Sequence, residues 1–152
     1  MEQIAVYSKE LKKDVFEFTD RCFAGIGKAF EPDGRHSFYN DIENEFDRFW
    51  CLISDGKVAG TVAVRKDDED TAELKAMYLD KDLRGKGYGL KLLELAVDYS
   101  RKKGYKRIVL DSMSKYGAAL RLYEKYGFKR IERYNDNVKA DVFIEYRFEH
   151  ED

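Results

Sequence analysis

The sequence has few of the residues from which several common kinds of enzyme site are built. It contains two histidines, His36 and His150, and two cysteines, Cys22 and Cys51, which do not form a Cys-x-x-Cys pair. A histidine-based catalytic triad or a multi-histidine metal site is therefore hard to assemble, and we expect no metal. We expect both cysteines to be reduced and buried, with a disulfide as the less favoured alternative.

The sequence also lacks a long apolar run and an excess of charge of either sign. No apolar stretch approaches the roughly 18 residues that a membrane-spanning helix needs. The start, MEQIAVYSKELKKD, has no apolar core typical of a signal peptide. The 28 basic and 30 acidic residues leave a formal charge of −2, which gives no general attraction to nucleic acid or to an anionic membrane. We therefore expect a cytoplasmic protein with neither kind of partner.

The order of predicted elements indicates an α/β protein with a mixed sheet. Because the sequence has one proline, Pro32, and neither a repeat nor a low-complexity linker, we expect residues 1–152 to form a single domain. Apolar periodicity predicts strands and helices that alternate late in the chain, which implies a sheet covered by helices. The predicted strands are residues 3–8, 49–53, 58–64, 71–79, 107–111, 128–134 and 141–148, and the helices are residues 11–24, 37–47, 87–103 and 116–126.

Two short polar segments connect predicted strands. Asp55-Gly56 is a strong signal for a tight hairpin turn, because both central residues of that turn need a positive φ. The charged run KDDED at residues 66–70 is expected to be an exposed loop tip rather than a binding patch.

A glycine-rich segment, Arg84-Gly85-Lys86-Gly87-Tyr88-Gly89, lies between a predicted strand and an amphipathic helix. Glycines allow the main chain to approach a ligand closely. Free N–H groups at the helix start, together with the helix dipole, favour an anion such as phosphate. The alternative is a turn that only begins a helix, and the segment alone does not decide between the two.

This segment departs from two common nucleotide-binding motifs. It lacks the GxxxxGK[ST] pattern of a P-loop. It also fails the dinucleotide fingerprint, because counting from Gly85 puts Leu90 at the third glycine position and because residues 80–84 separate strand from glycines. Asp111 does lie near the distance expected of a ribose-binding acid. A nucleotide-binding regulatory domain is thus an alternative that the mismatches disfavour.

Two motifs, taken together, resemble those of GNAT acetyltransferases. The order strand, R-x-x-G-x-G, helix is similar to that family's acetyl-CoA-binding signature, with Arg84, Gly87 and Gly89 at the signature positions. Further along, A-x-x-L-Y-x-K-x-G-F at residues 119–128 is similar to the family's second motif. The resemblance covers residues 49–148. It implies a GNAT-like fold, in which a mostly antiparallel sheet splays between its fourth and fifth strands and carries helices on both faces.

The same resemblance implies an acetyl-CoA-dependent N-acetyltransferase, with acetyl-CoA as acetyl donor. The main chain of the glycine-rich segment would hold the pyrophosphate, and the exposed main chain of Met77 and Leu79 would pair with pantetheine. Tyr116 stands where relatives often have asparagine, a departure that leaves one pantetheine contact open. The predicted acetyl-CoA contacts are Met77, Tyr78, Leu79, Arg84, Gly85, Lys86, Gly87, Tyr88, Gly89 and Tyr116.

Two residues have catalytic roles by this resemblance. Tyr123 would be the general acid that protonates the departing thiolate, and the alternative is a core residue beside Leu122. Glu73 would be the general base that takes a proton from the ammonium form of the acceptor. The alternative for Glu73 is an exposed residue at a strand edge, with ordered water as the base.

The acceptor is the least determined part of the prediction. Tyr134 and Asn135 are placed near it, with a polar hairpin turn as the alternative for each. The acceptor is a small-molecule or peptide amine, and nothing favours a basic peptide over a free amino acid, an amino sugar or a polyamine. A homodimer is an open question. The competing function is a non-catalytic sensor that binds acyl-CoA without turnover.

Overall fold

Seven strands form one sheet in the computed structural model, which describes residues 2–148 and so does not include His150. The strands are β1 Glu2–Val6, β2 Arg48–Ser54, β3 Lys57–Asp68, β4 Thr71–Leu79, β5 Arg107–Ser112, β6 Lys129–Arg130 and β7 Val142–Arg147. The helices are α1 Lys12–Gly25, α2 Ile42–Glu45, α3 Tyr88–Lys103 and α4 Gly117–Tyr126.

The sheet is mostly antiparallel, with strand order β1-β2-β3-β4-β5-β7-β6. The exception is the parallel pair of β4 and β5, which α3 connects by a crossover. These two strands pair only from Thr71 to Glu73, opposite Arg107 to Val109. Beyond Glu73 they separate, which confirms the predicted splay between the fourth and fifth strands.

Helices cover both faces of the sheet, also as predicted. On one face, α3 buries the residues whose helical spacing predicted a common side: Leu92, Leu93, Ala96, Val97 and Ser100. On the other face, α1 packs Val15 and Phe18 against Phe49 and Ala63 of the sheet. Each fully buried Leu, Val or Phe side chain contributes about 1.5–3 kcal/mol to folding, so these two layers hold β4 from both sides.

A bulge in β4 sets the direction of its second half. Ala76 has φ of 53°, and the pairing of β3 with β4 shifts between Thr61 and Ala63. The Thr61 hydroxyl donates to the carbonyl of Ala76 at 2.6 Å and so stabilises the bulge. Gly60 lets the strands approach closely, because a Cβ there would lie 3.1 Å from Leu79 Cδ1 and 3.3 Å from the Tyr78 carbonyl oxygen.

Three segments differ from the sequence-based expectation. The predicted helix at 37–47 is a 3₁₀ turn at Ser37–Asp41 followed by the single turn of α2. Two side chains of this segment bond outside a regular helix pattern, since Asn40 Nδ2 donates to the Pro32 carbonyl and Asn44 Nδ2 to Asp41 Oδ1.

The predicted strand at 128–134 is also too long, because only Lys129–Arg130 pair with β7 before the chain leaves the sheet edge. The charged run at 66–70 is exposed as predicted, but its first half extends β3 to Asp68, and only residues 69–70 form the turn. None of the helices described between residues 2 and 148 has the length and apolar character to cross a membrane.

Cys51 is buried and Cys22 half-buried, and neither is in a disulfide in the structure. Burial raises the pKa of the Cys51 thiol to about 12 and also raises that of Cys22.

Candidate active site at the divergence of β4 and β5

The glycine-rich segment forms an anion-binding surface at the start of α3. Gly85 and Gly87 have φ of 78° and 87°, in the left-handed region, and a Cβ at either would have no atom within 4 Å. No acceptor among residues 2–148 forms a hydrogen bond of good geometry with the amides from Gly85 to Leu90. The segment therefore offers open space and a row of free N–H groups at the positive end of a helix dipole, which fits a phosphate group.

The second half of β4 leaves main-chain groups free on the side of the gap. The amide of Asp80 donates to the Ala59 carbonyl at 2.8 Å, so this residue and, by alternation along the strand, Tyr78 direct their peptide groups towards β3. Met77 and Leu79 direct theirs the other way, where β5 no longer pairs with β4. These peptide groups can pair with an extended ligand as a neighbouring strand would.

The hydroxyl of Tyr88, a predicted acetyl-CoA contact, forms a hydrogen bond within the protein. Its hydroxyl donates to Glu2 Oε1 at 2.7 Å, while Ser54 Oγ donates to Glu2 Oε2 at 2.9 Å. These bonds hold the pKa of Glu2 below its usual value and raise that of Tyr88. The hydroxyl of Tyr88 is therefore engaged within the protein, while its main chain remains free to bind a ligand. The sequence did not indicate this link between α3 and β1.

Tyr123 lies in α4 with its ring in the core and its hydroxyl unengaged. The residue is 5% exposed, and its ring centroid is 5.6 Å from that of Phe128. Its oxygen makes no hydrogen bond within residues 2–148, and it is not fully buried, so a ligand can reach it. Burial raises its pKa well above the usual value, so the phenol carries its proton throughout the range in which amines are acetylated.

Further contacts place α4 beside the glycine-rich segment and β4. A Cβ at Gly89 would lie 3.4 Å from Leu122 Cδ2, next to Tyr123 in the chain. Burial raises the pKa of Tyr78 far above its usual value, and the nearby phenols of Tyr116 and Tyr123 add to this shift. The contact between Gly89 and Leu122 therefore places α4, which carries Tyr123, beside the start of α3.

Glu73 is the last residue of β4 that still pairs with β5, and it is buried. It is 2% exposed, so the alternative of an exposed glutamate at a strand edge is wrong. Arg65 Nε donates to Oε1 at 2.9 Å, and the Tyr134 hydroxyl donates to Oε2 at 2.7 Å. Burial and the Glu73 charge raise the pKa of Tyr134, which keeps this phenol a hydrogen-bond donor.

The predicted acceptor residues meet the sheet from the loop between β6 and β7. Besides the bond from Tyr134 to Glu73, Asn135 Nδ2 donates to Asp111 Oδ2 at 2.6 Å at the end of β5. Arg133 holds this loop by donating to the carbonyls of Asn137 and Ala140 at 2.7 and 3.0 Å. The loop crosses from the sheet edge to β4, which explains why β6 ends so early.

Four basic residues were missed in the sequence, and burial together with the charges of three of them lowers the pKa of the fourth, Lys28. They are Lys28, Arg35, Lys75 and Lys139. They come from three separate segments of the chain, and no motif or spacing groups them, so only the fold could bring them together.

Comparison with known proteins identifies the family to which the chain belongs. The profile of the Acetyltransferase (GNAT) family matches residues 12–128. N-acetylaspartate synthetase of Homo sapiens is 38% identical over an alignment 114 positions long, which covers 68% of this chain and 36% of that protein. The chain spans about a third of the length of such curated relatives.

Solved structures share the fold. An acetyltransferase of Streptococcus agalactiae superposes with a TM-score of 0.86 at 23% identity, over 97% of this chain and 98% of that one. The yncA protein of Salmonella typhimurium, solved with its cofactor acetyl-CoA, gives 0.76 at 19% identity, over 100% of this chain and 96% of that one. The splayed sheet, the two motifs and the profile match over most of the chain agree, and the chain belongs to the GNAT family of acetyltransferases.

Proposed function

We propose that the chain transfers the acetyl group of acetyl-CoA to a primary amine. One observation carries the proposal: the gap between β4 and β5 is bordered by free main-chain groups, by the glycine-rich segment and by Tyr123. Acetyl-CoA would supply a thioester, whose carbonyl carbon is open to attack by an amine.

The glycine-rich segment and β4 would bind the donor. Amides from Gly85 to Leu90 would hold the pyrophosphate, while the peptide groups of Met77 and Leu79 pair with pantetheine. The Leu79 N–H would also donate to the thioester carbonyl oxygen as negative charge develops on it. All of these contacts use the main chain, and a solved relative of the same fold binds acetyl-CoA.

Glu73 and Tyr123 would move the protons. Glu73 takes one proton from the ammonium form of the acceptor, so that the nitrogen can form its bond to the carbonyl carbon as the carbon–sulfur bond breaks. Tyr123 gives its proton to the thiolate and regains one as the new amide nitrogen loses its second proton. The products are the N-acetylated amine, CoA thiol and one released proton.

The test is acetyl-CoA-dependent release of CoA thiol across a panel of amines that includes amino acids, an amino sugar, a polyamine and a lysine peptide. Aspartate belongs in the panel because N-acetylaspartate synthetases are among the relatives. We expect thiol release and a matching N-acetylated product with at least one class. Tight acetyl-CoA binding with no turnover in any class would instead favour the non-catalytic acyl-CoA sensor.

Cytoplasmic location and a single domain over residues 1–152 belong to the same proposal. Homodimer formation is tested by light scattering with and without acetyl-CoA.

A further inference from the structure

Lys28, in the loop after α1, is a half-buried cation without an anionic partner among the described residues. Its Nζ lies 4.5 Å from the ring centroid of Phe23 and 6.0 Å from that of Tyr78. These rings stabilise the ammonium, but no carboxylate within residues 2–148 forms an ion pair with it. Because this ammonium has no ion-pair partner in the described chain, it is available to an anion that binds beside it.

Three further basic side chains carry charges that affect the pKa of Lys28. Arg35 precedes the 3₁₀ turn before α2, Lys75 lies in β4, and Lys139 lies in the loop between β6 and β7. Burial first, and then these three charges, lower the pKa of Lys28. None of the three is in an ion pair with any described residue. We call Lys28, Arg35, Lys75 and Lys139 the cation cluster.

Two carboxylates of β4 and β5, Glu73 and Asp111, already have other partners. Asp111, whose charge partly offsets the effect on Lys28, accepts a hydrogen bond from Asn135. Glu73 is held by Arg65 and Tyr134. No carboxylate among residues 2–148 forms an ion pair with the cluster, which therefore keeps a surplus of positive charge.

The position of the cluster ties it to the acceptor side of the site. Glu73 and Lys75 are two residues apart in one strand, so their side chains project from the same face of the sheet. That face also carries Tyr78, which packs with Phe23 at 5.0 Å between ring centroids. The free peptide groups and Tyr123 border the gap that we assign to acetyl-CoA. An anion held by the cluster would thus lie on the side of β4 from which Glu73 can reach an amine.

We propose that the cation cluster binds carboxylate groups of the acceptor, so that the acceptor is a small amino acid rather than a polyamine, an amino sugar or a basic peptide. This inference rests on the proposed acetyl transfer. Cations this close would attract an amine that carries carboxylates and repel one that carries further positive charge.

The experiment compares matched acceptors and matched lysine variants. The acceptors are aspartate, its diamide, in which uncharged amides replace both carboxylates, and spermidine. The readout is kcat/KM together with KM. Lys28→Met and Lys75→Met remove one cation each, Lys28→Arg keeps the charge, and Lys103→Met removes an exposed lysine at the far end of α3. Dissociation constants for acetyl-CoA are measured for each variant.

We expect aspartate to exceed its diamide and spermidine in kcat/KM by about tenfold or more, as lost charge-assisted hydrogen bonds cost about ten- to a hundredfold. Lys28→Met and Lys75→Met should each raise KM for aspartate by about tenfold or more while changing the diamide little. Lys28→Arg should retain most of the aspartate activity, and Lys103→Met should match the wild type. Affinity for acetyl-CoA should be unchanged in all variants.

Equal or better use of the diamide or of spermidine would overturn the inference while leaving acetyl transfer intact. Weaker acetyl-CoA binding in Lys28→Met, with KM for aspartate unchanged, would also overturn it and assign the cluster to the donor. If no amine is acetylated, acetyl transfer itself fails. Calorimetric titration of aspartate and of its diamide into the CoA-bound chain then tests the cluster separately. Binding of aspartate without binding of the diamide would support the cluster. Binding of neither compound would overturn it.

Discussion

The two sides of β4 are built in different ways. On the side that we assign to acetyl-CoA, called the donor side, the groups that face the gap are peptide groups, namely the amides that begin α3 and the main chain of Met77 and Leu79. On the side that we assign to the acceptor, called the acceptor side, they are side chains, which come from the loop after α1, from β4 and from the loop between β6 and β7. A site made of main chain can stay the same while side chains vary, whereas a site made of side chains can change its ligand without a change of fold.

The largest expected effect is that of Tyr123→Phe, which tests whether this residue acts in the reaction or only in binding on the donor side. Tyr123→Phe keeps the buried ring and removes only the hydroxyl, which makes no hydrogen bond in the described chain. We expect kcat to fall by about 10²–10⁴, the typical contribution of a general acid. The dissociation constant of acetyl-CoA should stay within a few-fold, measured by calorimetry.

Tyr126→Phe is the matched control for this variant. Tyr126 lies in the same helix and packs against Tyr146 with ring centroids 5.1 Å apart. It should keep near-normal turnover. Full turnover in Tyr123→Phe, or a loss confined to Tyr126→Phe or Tyr116→Phe, would show that Tyr123 is only a core residue.

The next effect concerns the acceptor side. Glu73→Gln should lower kcat/KM near neutral pH by about a hundredfold, because the amine is then mostly protonated and needs a base. The deficit should shrink as pH rises towards about 10, where an amine of ordinary pKa is free without help. The measurement is the pH–rate profile of wild type and variant.

Arg65→Gln tells a base from a structural ion pair. This variant keeps the Glu73 carboxylate but removes the 2.9 Å contact from Arg65 Nε. If Glu73 acts as a base, Arg65→Gln should retain far more activity than Glu73→Gln. A Glu73→Gln profile parallel to that of the wild type would leave ordered water as the base.

Sequence was more informative about the donor side than about the acceptor side. The glycine spacing from Arg84 to Gly89 and the motif around Tyr123 are local patterns, so they predicted the segment and the helix, and the family resemblance that they carry implied the splay. The link from Tyr134 to Glu73 joins residues 61 positions apart. No local pattern encodes such a contact, because it depends on how far the loop after β6 crosses the sheet. The early end of β6 was missed for the same reason.

The smallest expected effect concerns the close approach of β3 to β4. Gly60→Ala would place a methyl group 3.1 Å from Leu79 Cδ1 and 3.2 Å from Leu52 Cβ, so the strands must shift. Overpacking of this kind costs about 1–3 kcal/mol of unfolding free energy, measured by urea denaturation. Gly25→Ala, where a Cβ meets nothing within 4 Å, is the control and should not destabilise. Equal stability of both variants would show that the contact between β3 and β4 accommodates an added methyl group more easily than the structure indicates.

The central claim is that acetyl-CoA binds to main-chain groups at the start of α3, and its most direct test is ligand-induced stabilisation of a matched pair of glycine variants. Gly87 and Gly104 flank α3, both have positive φ, and a Cβ at either meets nothing within 4 Å. Valine should strain the backbone at both positions by about 1–2 kcal/mol or more. At 100-fold excess over its dissociation constant, acetyl-CoA should stabilise the wild type and Gly104→Val by about 2.7 kcal/mol. It should not stabilise Gly87→Val, and NAD should stabilise none of the three. Full stabilisation of Gly87→Val by acetyl-CoA, or stabilisation of the wild type by NAD and not by acetyl-CoA, would contradict the claim.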